Sequence, residues 1–262
     1  MFIKKNYLIA PLRVLAVIVW MIIMPVLFML ARMVKLKGFE NIPNIFHKGL
    51  RFIMGIRVSF TGELNQTKPT LYVSNHISYL DILVLGDLKA YFIAKAEVAS
   101  WPVIGKLAEF QNTLFIERRA GRARHQLSVM QQHLNNSKNL ILFPEGTSTD
   151  GVHVDPFKSS LFEAANLAAL NQTSSLRVAI QPITIAYTHQ ADQKMNRQML
   201  DHYAWYAEMP FGSHAARLFA LKKVDVKVHY HPVCYIDDFE TRKHCADYCQ
   251  EIVADKLDEF IA

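Results

Sequence analysis

A chain of 262 residues, 51% hydrophobic and 20% charged, carries enough apolar material for one α/β domain plus an appendage, or for two small domains, and excludes long disorder. Its net charge of +6 sits at one end: residues 1–57 hold nine basic side chains against Glu40, a balance of +8, while the rest of the chain sums to −2. That basic segment is also the most apolar one, which points to an anionic membrane surface and away from nucleic acid.

The first predicted element is apolar. Val14 to Ala31 runs 18 residues without a charge, interrupted by Pro25 and flanked by Arg13, Arg32, Lys35 and Lys37. About 20 apolar residues span a bilayer, so the run stands at the threshold. A cleaved signal peptide is disfavoured by its length and by the lack of a small-residue cleavage site. Two readings stay open: a spanning helix with Pro25 tolerated as a kink, or a helix buried in one leaflet and paired with Ile42–Ile56. Positive charge on both sides gives no in/out asymmetry, which favours the shallow arrangement. Residues 1–57 are therefore expected to form a membrane-anchoring helical segment, and residues 58–262 the folded domain.

Beyond residue 57 strand-like and helix-like runs alternate. Strands are expected at Arg57–Thr61, Thr70–Ser74, Tyr91–Ala94, Thr113–Ile116, Leu140–Phe143, Val178–Tyr187 and Val224–Tyr235. Helices are expected at Asp81–Leu88, Val98–Glu109, Arg122–Asn135, Ser159–Leu170 and Phe239–Phe260. This order predicts an α/β sheet flanked by helices. Residues 188–222 are less regular and read as a surface-associated insertion.

The second strand leads into Asn75-His76-Ile77-Ser78-Tyr79-Leu80-Asp81. A histidine moves protons near neutral pH, and a carboxylate partner fixes its tautomer and stabilises its charged form. Residues five apart on an ideal helix lie about 140° from each other, so the two are not both helix-interior. Ser78 as N-cap and Asp81 as the N3 residue of a capping box would leave His76 in the preceding loop, folded back towards Asp81. Taken alone, an incidental histidine beside a capped helix is the simpler explanation. Later motifs reverse that balance.

Phe143-Pro144-Glu145-Gly146-Thr147-Ser148 closes another strand, at the end where α/β sheets bind ligands. Gly146 lets a ligand approach the backbone, Glu145 offers an acceptor, and Thr147 and Ser148 offer hydroxyls and amides. Phe115-Ile116-Glu117-Arg118-Arg119 delivers a guanidinium suited to clamping phosphate or carboxylate, or else forms a solvated charged turn. Val178–Ile185 contains Pro182, which an edge strand accommodates most simply. Cys234, Cys245 and Cys249 are odd in number and lack a C-x-x-C spacing, so a reducing compartment is the simplest inference. His244, Cys245 and Cys249 share a helical run without a fourth ligand, and no metal is expected. His229 and His231 alternate along a strand-like run, and facing solvent explains them as well as a metal does.

In order and spacing, Asn-His-x-x-x-x-Asp, Phe-Ile-x-Arg, Pro-Glu-Gly-Thr and Val-x-x-x-Pro-Ile resemble the glycerophospholipid acyltransferase family, particularly the 1-acyl-sn-glycerol-3-phosphate acyltransferases, over about residues 58–235. Ala94-Lys95-x-Glu97, Trp101–Gly105 and Pro156-Phe157-Lys158 match as well. The resemblance implies an acyltransferase sheet with N-terminal membrane-embedded apolar helices, docked on the cytoplasmic face of the inner membrane. It implies His76 as general base oriented by Asp81, with Arg118, Glu145, Gly146 and Thr147 binding the acceptor and Lys95 and Lys158 as further phosphate contacts. The reaction it implies moves an acyl group from acyl-CoA or acyl-ACP, as co-substrate, to the free hydroxyl of a lysolipid. No other cofactor is called for. Where many relatives have arginine after Pro-Glu-Gly-Thr, this chain has Ser148. That departure keeps two acceptors in play: 1-acyl-sn-glycerol-3-phosphate, ranked first because Arg118 and Lys95 remain, and lyso-ornithine lipid, to whose acyltransferases the Ala-Glu-Val-x-x-Trp-Pro-Val-Ile-Gly stretch looks similar. A non-catalytic lipid-binding scaffold is the alternative of another class. A lipid hydrolase is disfavoured, since no G-x-S-x-G elbow occurs.

Overall fold

The computed structural model describes residues 9–102, 104–111, 113–116, 123–170 and 177–262. In chain order the elements are α1 (Ala10–Met33), α2 (Ile42–Met54), β1 (Ile56–Gly62), β2 (Thr70–Ser74), α3 (Asp81–Val84), β3 (Ala90–Lys95), α4 (Ala96–Ala99) and α5 (Ile104–Phe110). They continue with β4 (Leu114–Ile116), α6 (Ala123–Asn135), β5 (Asn139–Leu142), α7 (Glu163–Leu170), β6 (Ala179–Gln190), β7 (Gln193–Lys194), α8 (Arg197–Leu200), α9 (Phe211–Leu218), β8 (Val224–Tyr230) and α10 (Arg242–Ile261).

The described strands join one sheet in the order β1-β8-β6-β2-β5-β3-β4, with β7 on the side of β6. From β6 to β4 every pairing is parallel, and β8 reverses direction against β6. β1 runs parallel to β8, so it begins at the edge where the parallel strands end. The central strands are apolar on both faces, as buried parallel strands must be. Their alternation sorts the core into two layers: Leu71, Val73, Leu140 and Leu142 pack on the face of α6, α7 and α10. Tyr72, Ile141, Ile183 and Ile185 pack on the face of α3.

Three expectations are corrected. The segment 188–222 is no surface insertion: Leu200, Tyr203, Ala204, Leu218 and Leu221 are buried and complete the second layer of the core. Its sequence hides this because it packs through short helices and turns rather than through one long periodic element. The helix expected at Val98–Glu109 is two, α4 and α5, with Pro102 between them. Proline disfavours helical backbone at the residue before it, which separates the pieces. Pro182 lies inside the sheet, opposite Val73 of β2. Its missing N–H falls between the β8 ladder, which starts at Ile183, and the bridge from Ile180 to Cys234. A gap in the ladder therefore accommodates the proline as well as an edge would.

α1 and α2 pack together through Met24, Phe46 and Leu50. Arg13, early in α1, donates to the carbonyls of Phe219 and Leu221. Trp20 Nε1 donates to Phe46 O at 3.0 Å, and Leu107 of α5 packs against the same cluster. The helix therefore lies along the domain. Among the described residues, α1 is the one helix long and apolar enough to cross a membrane.

Candidate active site

β2 and β5 are hydrogen-bonded neighbours, and their carboxyl ends bring the two principal motifs together. His76 Nδ1 lies 2.8 Å from Asp81 Oδ2. The same oxygen accepts the backbone N–H of Ile77 at 2.7 Å and of Ser78 at 2.9 Å. Oδ1 accepts the hydroxyl of Tyr187 at 2.8 Å. A fully buried carboxylate is costly unless its lone pairs are filled, and here four donors fill them. Nδ1 being taken, Nε2 is the ring nitrogen left to act on a substrate.

The capping box is half present. Asp81 reaches back to the Ser78 amide, but the Ser78 hydroxyl is buried without a partner among the described residues. α3 starts at Asp81, as expected, but with Leu80 rather than Ser78 at the N-cap position, and it ends at Val84 rather than Leu88. The carboxylate, rather than the serine, closes the turn.

Glu145 fixes the other side of His76. Its Oε1 accepts the His76 N–H at 2.5 Å, and its Oε2 accepts the Asp155 N–H at 2.8 Å. The His76 carbonyl in turn accepts from the Thr149 N–H at 2.8 Å, so both main-chain groups of the histidine are tied to the Glu145–Thr149 segment. The ring of His76 stacks on Phe143 at 4.1 Å between centroids. Burial pushes the Glu145 carboxyl up to about 8, against the opposing pull of the Asp155 and His76 amides. Burial, followed by the nearby Asp81 charge, holds the Tyr187 hydroxyl well above its ordinary value and keeps it a donor.

Gly146 adopts φ +79°, backbone that favours glycine, and its amide is spent on Phe143 O at 3.1 Å. Thr147 is exposed beside it. Lys95 ends β3 at the same edge of the sheet, with an exposed side chain. The Lys158 amide bonds Pro144 O at 3.0 Å, bringing an exposed lysine beside the turn. Arg118 lies outside the described residues. Ser148 donates to Trp205 O, and the Trp205 amide donates to Ile77 O at 2.9 Å. Trp205 thereby joins Tyr79, Trp101 and Phe211 in an aromatic cluster next to the His76 turn.

Tyr187, Thr149 and Asp155 were not singled out in the sequence. Tyr187 sits 106 residues from Asp81 in the chain, and no local pattern announces such a pairing. The cysteines differ from expectation too: the thiols of Cys234, Cys245 and Cys249 lie within 4.8 Å of one another in the core, on the sheet face away from α3. Exposed His244 faces Glu240 instead. His231 is buried and bonds Thr184 Oγ1 at 2.8 Å, rather than facing solvent.

Comparison with known proteins meets the same features. Residues 55–186 match the family described as Acyltransferase. A lyso-ornithine lipid O-acyltransferase of Brucella abortus is 36% identical over 79% of this chain and 78% of its own length. A 1-acyl-sn-glycerol-3-phosphate acyltransferase of Neisseria gonorrhoeae is 28% identical over 73% and 67%. The fold is that of the crystal structure of the 1-acyl-sn-glycerophosphate (LPA) acyltransferase PlsC from Thermotoga maritima, with a TM-score of 0.72 at 19% identity, covering 98% of this chain and 96% of that one. With its histidine–aspartate pair and its Glu145 turn held at adjoining strand ends, this chain belongs to the acyltransferase family.

Proposed function

We propose that this enzyme transfers a fatty acyl group from an acyl thioester to the free hydroxyl of a lysolipid. The carrying observation is the His76–Asp81 pair, locked through both the ring and the backbone of the histidine. Nε2 takes the hydroxyl proton as the acceptor oxygen attacks the thioester carbonyl. The new C–O bond gives a tetrahedral oxyanion. The Thr147 amide, which makes no hydrogen bond among the described residues, is the donor assigned to it, since the Gly146 amide is spent within the turn. Collapse breaks the C–S bond, and the departing thiolate recovers the proton from the imidazolium. Asp81 holds the ring and offsets its charge throughout. No covalent enzyme intermediate is required, and acyl-CoA or acyl-ACP supplies the thioester.

Lyso-ornithine lipid is the acceptor favoured by Ser148, whose hydroxyl is committed to Trp205 O where many family members carry an arginine. The naming of relatives at 33–36% identity agrees with that reading. Lys95 and Lys158, set at the same edge as the turn, favour 1-acyl-sn-glycerol-3-phosphate as the second reading.

The acceptor reaches the site from a membrane. Leu12, Leu15, Val19, Ile22, Val26 and Met29 form an exposed apolar stripe along α1. α2 turns Ile45 and Phe52 outward, Phe52 being 87% exposed, while Arg51 and His47 are buried beside Phe46 and Leu50. Such a pattern suits a helix whose outer face meets lipid. Because α1 lies along the domain rather than projecting from it, a shallow seat in the cytoplasmic leaflet is the arrangement we assign.

The test incubates the full chain in vesicles with labelled acyl thioester and each lysolipid separately. A diacyl product is expected with lyso-ornithine lipid in excess over the phosphate acceptor, and none with His76→Ala. Wild-type turnover by His76→Ala would sink the mechanism. Preference for the phosphate acceptor would reverse the choice of substrate.

A further inference from the structure

The inward face of α2 carries Asn44, His47 and Arg51, spaced three and four residues apart on one side of the helix. These polar groups meet α3 and the turn that follows it. Arg51 Nη1 donates to Val84 O at 3.0 Å, and Nη2 pairs with Asp87 Oδ2 at 2.7 Å. Asn44 Nδ2 donates to Gly86 O at 2.8 Å. His47 bonds Gln111 Oε1 at 3.0 Å, and its ring leaves no room for a side chain on Gly86: a Cβ there would come within 2.1 Å. An arginine that is 8% exposed is retained at this depth only because both arms of its fork find acceptors.

α3 has four residues, too few to hold together by their own bonds. Its first residue is Asp81 and its last, Val84, is gripped by Arg51. We propose that Arg51, with Asn44 and Asp87, is a positioning latch through which the anchor helix holds Asp81 against His76. Arg51 touches neither the histidine nor the reacting atoms. It acts by fixing the far end of the short helix whose near end carries the carboxylate. Acyl transfer then depends on how α2 is seated, so the membrane anchor tunes turnover as well as location. This inference rests on the acyl-transfer reading above.

The test uses the full chain in vesicles, with two readouts. Arg51→Lys keeps the charge but loses the two-armed fork, and Asn44→Ala removes only the bond to Gly86. For Arg51→Lys, kcat is expected to fall at least tenfold with KM for the acceptor within twofold of the parent; for Asn44→Ala, kcat falls about threefold. Hydrogen exchange is expected to quicken at Ile77 and Ser78, whose amides bond Asp81, while the β5 amides keep their protection. Leu257→Ala, a destabilising change in the distant α10 core, should leave kcat per folded molecule unchanged. The latch is overturned if Arg51→Lys retains kcat per folded molecule within twofold, or if exchange rises equally at residues 76–84 and in β5. An inactive parent chain would defeat the acyl-transfer reading instead, and the exchange data would still judge the latch.

Discussion

In the mechanism proposed above, the side chain of Asp81 serves both fold and chemistry. Oδ2 receives the histidine ring and two amides while Oδ1 receives a tyrosine hydroxyl. Asparagine could match that set only by turning a donor toward donors, so Asp81→Asn is expected to lower kcat by about 10²- to 10⁴-fold, in the range of general-base loss. Tyr187→Phe leaves a lone pair unmet and should cost roughly tenfold in kcat, about 1.4 kcal/mol. Steady-state kinetics on folded protein checks both. Glu145 yields a pH prediction. Its carboxyl holds a proton up to about 8 in the folded chain, against an ordinary 4.5. Between those values the native state binds more protons than the unfolded state, so stability falls as pH rises through this window. Glu145→Gln should flatten the fall, as read by denaturant unfolding at pH about 5 and about 8. The histidine and its carboxylate were legible because they lie five residues apart and end a strand. Tyr187 was not, because only the sheet, placing β6 beside β2, carries it to Asp81.

At the scale of elements, legibility followed periodicity. The central parallel strands β2 and β5 announce themselves as apolar runs of four or five residues, and all seven expected strands enter the sheet. The segment from 188 to 222 failed because α8 and α9 are four and eight residues long and too short to show a stripe. α2 was read only as an apolar partner for α1. Arg51 reads there as an interruption, whereas with Asn44 and His47 it bonds the domain. The outward residues give the test: Phe52→Asp places a charge on the face assigned to lipid, at a cost of about 2–3 kcal/mol if that face is immersed. Vesicle flotation should show the bound fraction falling while the soluble fold survives. Unchanged flotation would remove α2 from the membrane surface.

Across the whole molecule, charge and architecture converge on one edge. The excess of basic residues lies in the segment that holds α1 and α2. Each lysine or arginine near an anionic leaflet contributes about 1 kcal/mol, screened by salt. Binding to anionic vesicles should therefore weaken with added salt, more steeply than binding to neutral ones, in a sedimentation assay. Equal salt dependence would show that the apolar stripe alone holds the chain.

β1, reversed with respect to the central strands, enters the sheet at the edge where β2 and β5 end, and it does so directly from α2. α2 and His76 consequently share one side of the sheet. For a lysolipid delivered through the leaflet, as proposed above, this turns a three-dimensional search into a two-dimensional one. The lysolipid concentration that matters is then its mole fraction in the leaflet. Diluting it with inert diacyl lipid at constant bulk concentration should slow the reaction, as though substrate had been withdrawn.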